Sequence, residues 1–152
     1  MPSALTLDEV DRRELITWAA VCVERVMPLF DAERPDDNRL RAALTGSAAF
    51  ARSELTVGAA RQLAFACHAA ARDATDPAAR ATARAAGHAV AVAHMAAHAR
   101  GVVRYTRSAL VAAQRDPRTK LAGSGNDSPH GSTPTCTTVG TLARSAPSTS
   151  VR

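Results

Sequence analysis

Three of the five histidines in this 152-residue chain, His88, His94 and His98, fall within eleven residues of an almost pure alanine run. Imidazole can ligate a metal, move a proton near neutral pH, or fix a helix contact by hydrogen bonding. On an ideal helix each residue advances by about 100°, so His94 and His98 share a face, about 40° apart. His88 lies about 120° from His94 and about 80° from His98, which keeps three ligands from converging if one straight helix carries them all. The segment His94-Met95-Ala96-Ala97-His98 also lacks the glutamate of a His-Glu-x-x-His motif, and Met95 cannot serve as a base. Zinc takes three or four protein ligands, and His68, on a preceding helix, is the remaining candidate for a His68/His94/His98 cluster. A structural role competes with this. Imidazoles bonded to carbonyls or acids across a close helix contact would fix its register, with Gly87 and Gly101 allowing the approach. Contact with a partner molecule is the third reading.

Other reactive patterns are missing. The chain has no nucleophile elbow, glycine-rich phosphate loop or CxxC pair, so the sequence assigns no catalytic residue, no metal and no cofactor. Glu24, Glu33 and Glu54 are isolated carboxylates that read as surface charges, and Asp36 and Asp37 read as capping groups. Cys22, Cys67 and Cys136 are odd in number and fit no disulfide framework; the first two fall on apolar helix faces. The start, Met1 to Glu9, lacks the basic and apolar regions of a signal peptide, and no apolar run approaches a membrane span, so a cytoplasmic protein is expected.

The elements that must position these residues are written in alanine. It dominates the 46% hydrophobic content, while aromatics make up 3%, a composition that favours an all-α fold. Trp18, Phe30, Phe50, Phe65 and Tyr105 are expected as the few large core fillers, with close helix packing supplying the rest. Thr6-Leu7-Asp8-Glu9 reads as a capping box with Leu5 and Val10 as its staple. The stripe Leu15, Trp18, Ala19, Cys22, Val26, Leu29 and Phe30 then runs to about Ala32, kinked at Pro28. A turn at Glu33–Asp37 leads into a second helix, from about Asn38 to Ser53, with Leu40, Ala43, Leu44, Ala48 and Ala51 inward. Thr56 caps a third, reaching about Ala74 and burying Val57, Ala60, Ala64, Cys67 and Ala71. Asp76-Pro77 opens the next, helical to about Gln114 with a break near Met95–Ala97 or at Gly101. The expected fold is an all-α, compact, alanine-rich antiparallel bundle of four to five helices spanning residues 1–116. In 117–152 the periodicity disappears. There, 19 of the 30 residues from Gly123 to Arg152 are Ser, Thr, Gly or Pro, and this tail is expected to be disordered.

The net charge of +5 is unevenly placed: residues 1–37 carry nine acids against four arginines, and residues 38–115 three acids against eleven. Arg52, Arg61, Arg72, Arg80, Arg84, Arg100, Arg104 and Arg107 are spread singly, which reads as a solvated face. An arginine-rich nucleic-acid-binding helical domain is the alternative that this basic middle suggests.

Three segments carry a resemblance. The run WAAVCVERVMPLF (Trp18–Phe30) is followed by Arg34-Pro35-Asp36-Asp37. Val57-Gly58-Ala59-Ala60-Arg61 leads to Ala66–Arg72, and Arg84–His94 follows. In order and spacing they resemble small bacterial immunity proteins of polymorphic toxin systems, similar to the fifth immunity class, over about residues 5–113. The resemblance implies a cytoplasmic, non-enzymatic helical protein that binds a cognate protein toxin and blocks it. The lack of a membrane-length apolar run speaks against a membrane partner and the dispersed arginines disfavour nucleic acid, while homo-oligomerisation stays open. Two regions are candidates for contact. One is the acidic stretch Asp31–Asp37, with Asp36 and Asp37. The other is the histidine-bearing helix, with Arg84, His88, His94, His98 and Arg100, beside His68. The alternative is a metal-dependent helical enzyme built on His68, His94 and His98.

Overall fold

The computed structural model describes residues 7–115. Six helices follow one another there: α1 (Glu9–Glu24), α2 (Met27–Asp31), α3 (Arg39–Ala51), α4 (Val57–Asp73), α5 (Pro77–Ala91) and α6 (His98–Arg115). The all-α expectation holds, with the chain divided more finely than the periodicity indicates. Pro28 does more than kink the first helix. α1 ends at Glu24, and Pro28 takes the first turn of a separate five-residue helix, where its missing N–H is no loss. The expected tail in residues 117–152 lies outside the described residues, as do Leu5 and Thr6.

Local chemistry explains most helix ends. Thr56 and Asp76 cap α4 and α5 as anticipated, accepting from the N–H groups of Ala59 at 3.2 Å and Ala79 at 2.7 Å. The cap of α1 is Asp8, which accepts from the N–H of Asp11 at 2.9 Å, two residues later than the Thr6 reading. Val10, expected in a staple, is exposed. Asn38 precedes α3 without a side-chain cap; Asp37 does that work by accepting from the N–H of Arg39 at 3.2 Å. At its far end Ser53 turns into the left-handed region (φ 65°), and the N–H of Glu54 reaches the Ala49 carbonyl at 2.8 Å.

The centre of the molecule is α5, which packs against every other helix. Eleven of its fifteen residues are buried, so it is apolar nearly all round, the pattern of a core helix. Its alanines keep neighbouring axes close, and that closeness decides where large side chains go. Phe30, Phe50, Ile16 and Leu40 fit between helices; Trp18 and Phe65, expected as fillers, stand 45% and 57% exposed, and Tyr105 is half-buried. The inward face of α1 is correspondingly turned, carried by Ile16, Ala19 and Val23, with Leu15 and Cys22 half-buried. On α3 the buried positions are Leu40, Ala43, Gly46, Ser47 and Phe50, while Ala48 faces solvent. Glu33 is a tether and not a bare surface charge. It accepts from the N–H groups of Thr75 (2.8 Å) and Asp76 (3.0 Å) and from the Thr75 hydroxyl, tying the α2–α3 loop to the entrance of α5. No helix among the described residues is long and apolar enough to cross a membrane.

Candidate functional site

The chain reverses between Ala91 and His98, and that reversal overturns the single-helix geometry. His88 lies on α5, His94 in the turn, and His98 opens α6. Arg12 from α1 holds the turn, its Nε donating to the Ala93 carbonyl at 3.1 Å while another nitrogen donates to the Leu7 carbonyl at 2.6 Å. Folded back in this way, His88 Nδ1 and His98 Nδ1 come within 3.0 Å, and His98 Nε2 and His94 Nε2 within 3.2 Å. His68, from α4, presents its ring edge to His88, with centroids 5.6 Å apart and planes at 78°.

The expected carbonyl and carboxylate partners are therefore replaced by other imidazoles. His98 uses both nitrogens on different neighbours, so the three rings form a chain and do not surround a common point. His68 meets His88, not the His94/His98 pair. Among the described residues no group of three or more His, Cys, Asp or Glu is arranged to hold a metal ion. His94 Nδ1 is buried without a hydrogen-bond partner among them.

Glycine makes room for two of these rings. A Cβ on Gly87 would stand 2.8 Å from Cε1 of His68, and one on Gly101 would overlap the His88 ring more deeply. Gly87 and Gly101 thus seat imidazoles and do not bring backbones together. Each seat takes a ring from the preceding helix, His68 of α4 over α5 and His88 of α5 over α6. Tyr105 stacks on His88 from α6, centroids 5.3 Å apart and planes at 23°. The guanidinium carbons of Arg84 and Arg104 lie 5.9 and 5.6 Å from the Tyr105 centroid, within cation–π range.

Burial, joined at most positions by nearby positive charge, disfavours protonation of this cluster. Burial, then His98, His68, Arg84 and Arg104, push the His88 pKa down to about 4. Burial first, and then cationic neighbours including Arg84 and Arg72, lower that of His68. His94 is lowered by burial, His98, Arg61 and Arg12, and His98 by burial alone.

The acidic candidate region is arranged differently, because its charges are largely matched within the molecule. Asp31 pairs with Arg41 at 2.7 Å. Asp37 is gripped by Arg39 at 2.6 Å, with Arg34 at 3.7 Å, and the hydrogen bond from Arg39 holds its carboxyl below the ordinary range. Arg39 also reaches Asp73 at 2.8 Å. Asp36 remains exposed. Of the predicted residues, the fold brings His68, Arg84, His88, His94 and His98 onto one side and leaves Asp36 and Asp37 in the α2–α3 loop. Sequence reasoning did not place Arg104 in the same cluster. The one available signal was an aromatic ring four residues after Gly101 in an arginine-rich helix.

Against this geometry, residues 5–124 match the model of the family described as "Imm-5 like putative immunity protein". No curated protein and no solved structure gives a significant match. The match spans every described helix, and the chain belongs to this immunity protein family.

Proposed function

With membership of that family as premise, we propose that this protein binds a cognate bacterial toxin in the cytoplasm and neutralises it by occupation, without catalysing a reaction. The observation that carries the reading is the family match over residues 5–124. The structure supports it with a body suited to docking: charged and aromatic side chains stand on helices packed around α5, so little ordering is left to be done on association. Binding of this kind needs a complementary face and no reaction centre.

Co-expression with the toxin encoded beside it in a sensitive bacterial host is the direct test. Growth should be restored, the two proteins should co-purify, and protection should require about one equivalent of this chain per toxin, the stoichiometry of a tight complex. Failure to see either rescue or a complex would defeat the reading. Protection at far below one equivalent would defeat its non-catalytic half.

A further inference from the structure

α5 meets solvent along a narrow stripe in which Arg80, Arg84 and the half-buried His88 follow at four-residue steps. Arg80 is engaged, its Nε and Nη2 donating to the Ala74 carbonyl at 3.3 and 3.0 Å. Arg84 instead lies over Tyr105, which Arg104 of α6 approaches as well. Arg84 of α5 and Arg104 of α6 thus share one ring, itself stacked on His88. The ion pairs among the described residues use Arg13, Arg34, Arg39, Arg41 and Arg52, and none uses an arginine of α4, α5 or α6. Between Pro77 and Arg115 the chain has six arginines and no Asp or Glu.

Cations gathered without counter-charge repel one another, and an anionic partner relieves that repulsion. The ring between them is ordered before any partner arrives, because Tyr105 stacks on His88 and His88 is seated on Gly101. A fixed tyrosine flanked by arginines is the side-chain set that contributes most at protein interfaces. We propose that Arg84 and Arg104, flanking Tyr105, are the docking surface for a carboxylate-rich face of the partner protein, an inference that rests on the immunity reading above. A protein is favoured over nucleic acid because the patch is compact and centred on a half-buried aromatic ring, whereas phosphate tracking relies on contacts strung along a backbone. The acidic loop is the weaker candidate, since Asp31, Glu33 and Asp37 are already bonded within the molecule.

The test compares the full chain with the Arg84→Glu/Arg104→Glu double variant, using Arg25→Glu/Arg52→Glu as a control of equal charge at exposed positions elsewhere. Circular dichroism confirms folding of each. Poly-L-glutamate, a short DNA duplex and the neighbouring toxin are titrated in turn. The double reversal should weaken binding of poly-L-glutamate and of toxin by about 100-fold, roughly tenfold per charge contact, while the control stays near the parent. Toxin binding unchanged in the double variant would overturn the surface and leave the immunity reading intact. Loss of poly-L-glutamate binding in that variant, with no toxin bound by the parent, would strike the immunity reading and leave acidic recognition standing. Tighter binding of the duplex than of poly-L-glutamate would overturn the proposal, as would a homodimer that the double reversal dissociates.

Discussion

The hydrogen-bond geometry of the imidazole chain can accommodate one proton, against the penalty of burial, but not a second. His98, when charged, can donate from Nδ1 to His88 and from Nε2 to His94 across the observed 3.0 and 3.2 Å contacts. Protonating a neighbour as well would set N–H against N–H. Burial holds His68, His88, His94 and His98 below the ordinary histidine value, His88 at about 4, whereas the unfolded chain takes up these protons near 6.5. Between about 6.5 and 4 the unfolded state therefore binds more protons than the folded one. Stability should be complete above that window and decline as pH falls through it. Thermal melts across the interval should show Tm dropping with acidity, and His88→Asn should flatten the slope. A pH-independent Tm would refute the assignment. Glu33 and Asp37 are also held below their usual values, Asp37 mainly by Arg39 and Glu33 by Thr75 and Asp76 against its burial, so they release their contributions at lower pH. The histidine residues were visible in the sequence, but their meeting was not. A break near Met95–Ala97 was expected and is found, but that the chain turns back there was not legible, since alanine in Val92–Ala97 gives no sign of a reversal.

Contacts between elements turn on what occupies the space above a glycine. Gly101→Ala would gain about 1 kcal/mol in helix propensity. It would also drive a methyl group into the His88 ring, which Tyr105 and His98 hold from other sides, and overpacking of this kind costs about 1–3 kcal/mol. The clash should win, lowering the urea midpoint. Gly58 faces open space, its nearest neighbour being Thr56 Oγ1 at 4.0 Å, so Gly58→Ala should raise the stability by up to about 1 kcal/mol and the midpoint with it. If both substitutions moved stability in the same direction, the seat reading would be wrong. At this scale the sequence was most legible where a cap chemistry is written locally. Thr56 and Asp76-Pro77 mark their helix starts within a few residues, and the cap of α1 falls on Asp8, two residues beyond the Thr6 that the sequence pattern favoured. The split at Pro28 was half legible, since proline shows a discontinuity without saying whether the helix bends or ends.

The molecule as a whole is organised by α5, and its tolerance to change follows from that. Ala86 is fully buried on this helix, and Ala86→Leu would add a branched side chain where neighbouring axes are held close, at a cost of about 1–3 kcal/mol or more. Chemical denaturation should show the loss; an unchanged midpoint would mean that the helices around α5 separate readily. The same closeness explains the main error of the sequence reading about the core: of the aromatic rings expected as fillers Phe30 and Phe50 are buried, but Trp18 and Phe65 are not. Trp18 and Phe65 are excluded because small side chains on facing helices leave no volume for them. Charge is sorted at this level too: Asp31, Asp37 and Asp73 in and around the α2–α3 loop are ion-paired, and among the described residues no arginine of α4 to α6 forms an ion pair. An interior built from methyl groups has a further consequence during synthesis. α5 leaves the ribosome before the final helix that covers it, and in that interval the nascent chain displays a surface of low greasiness. Premature clumping, which large aliphatic stretches invite, finds little to grip here.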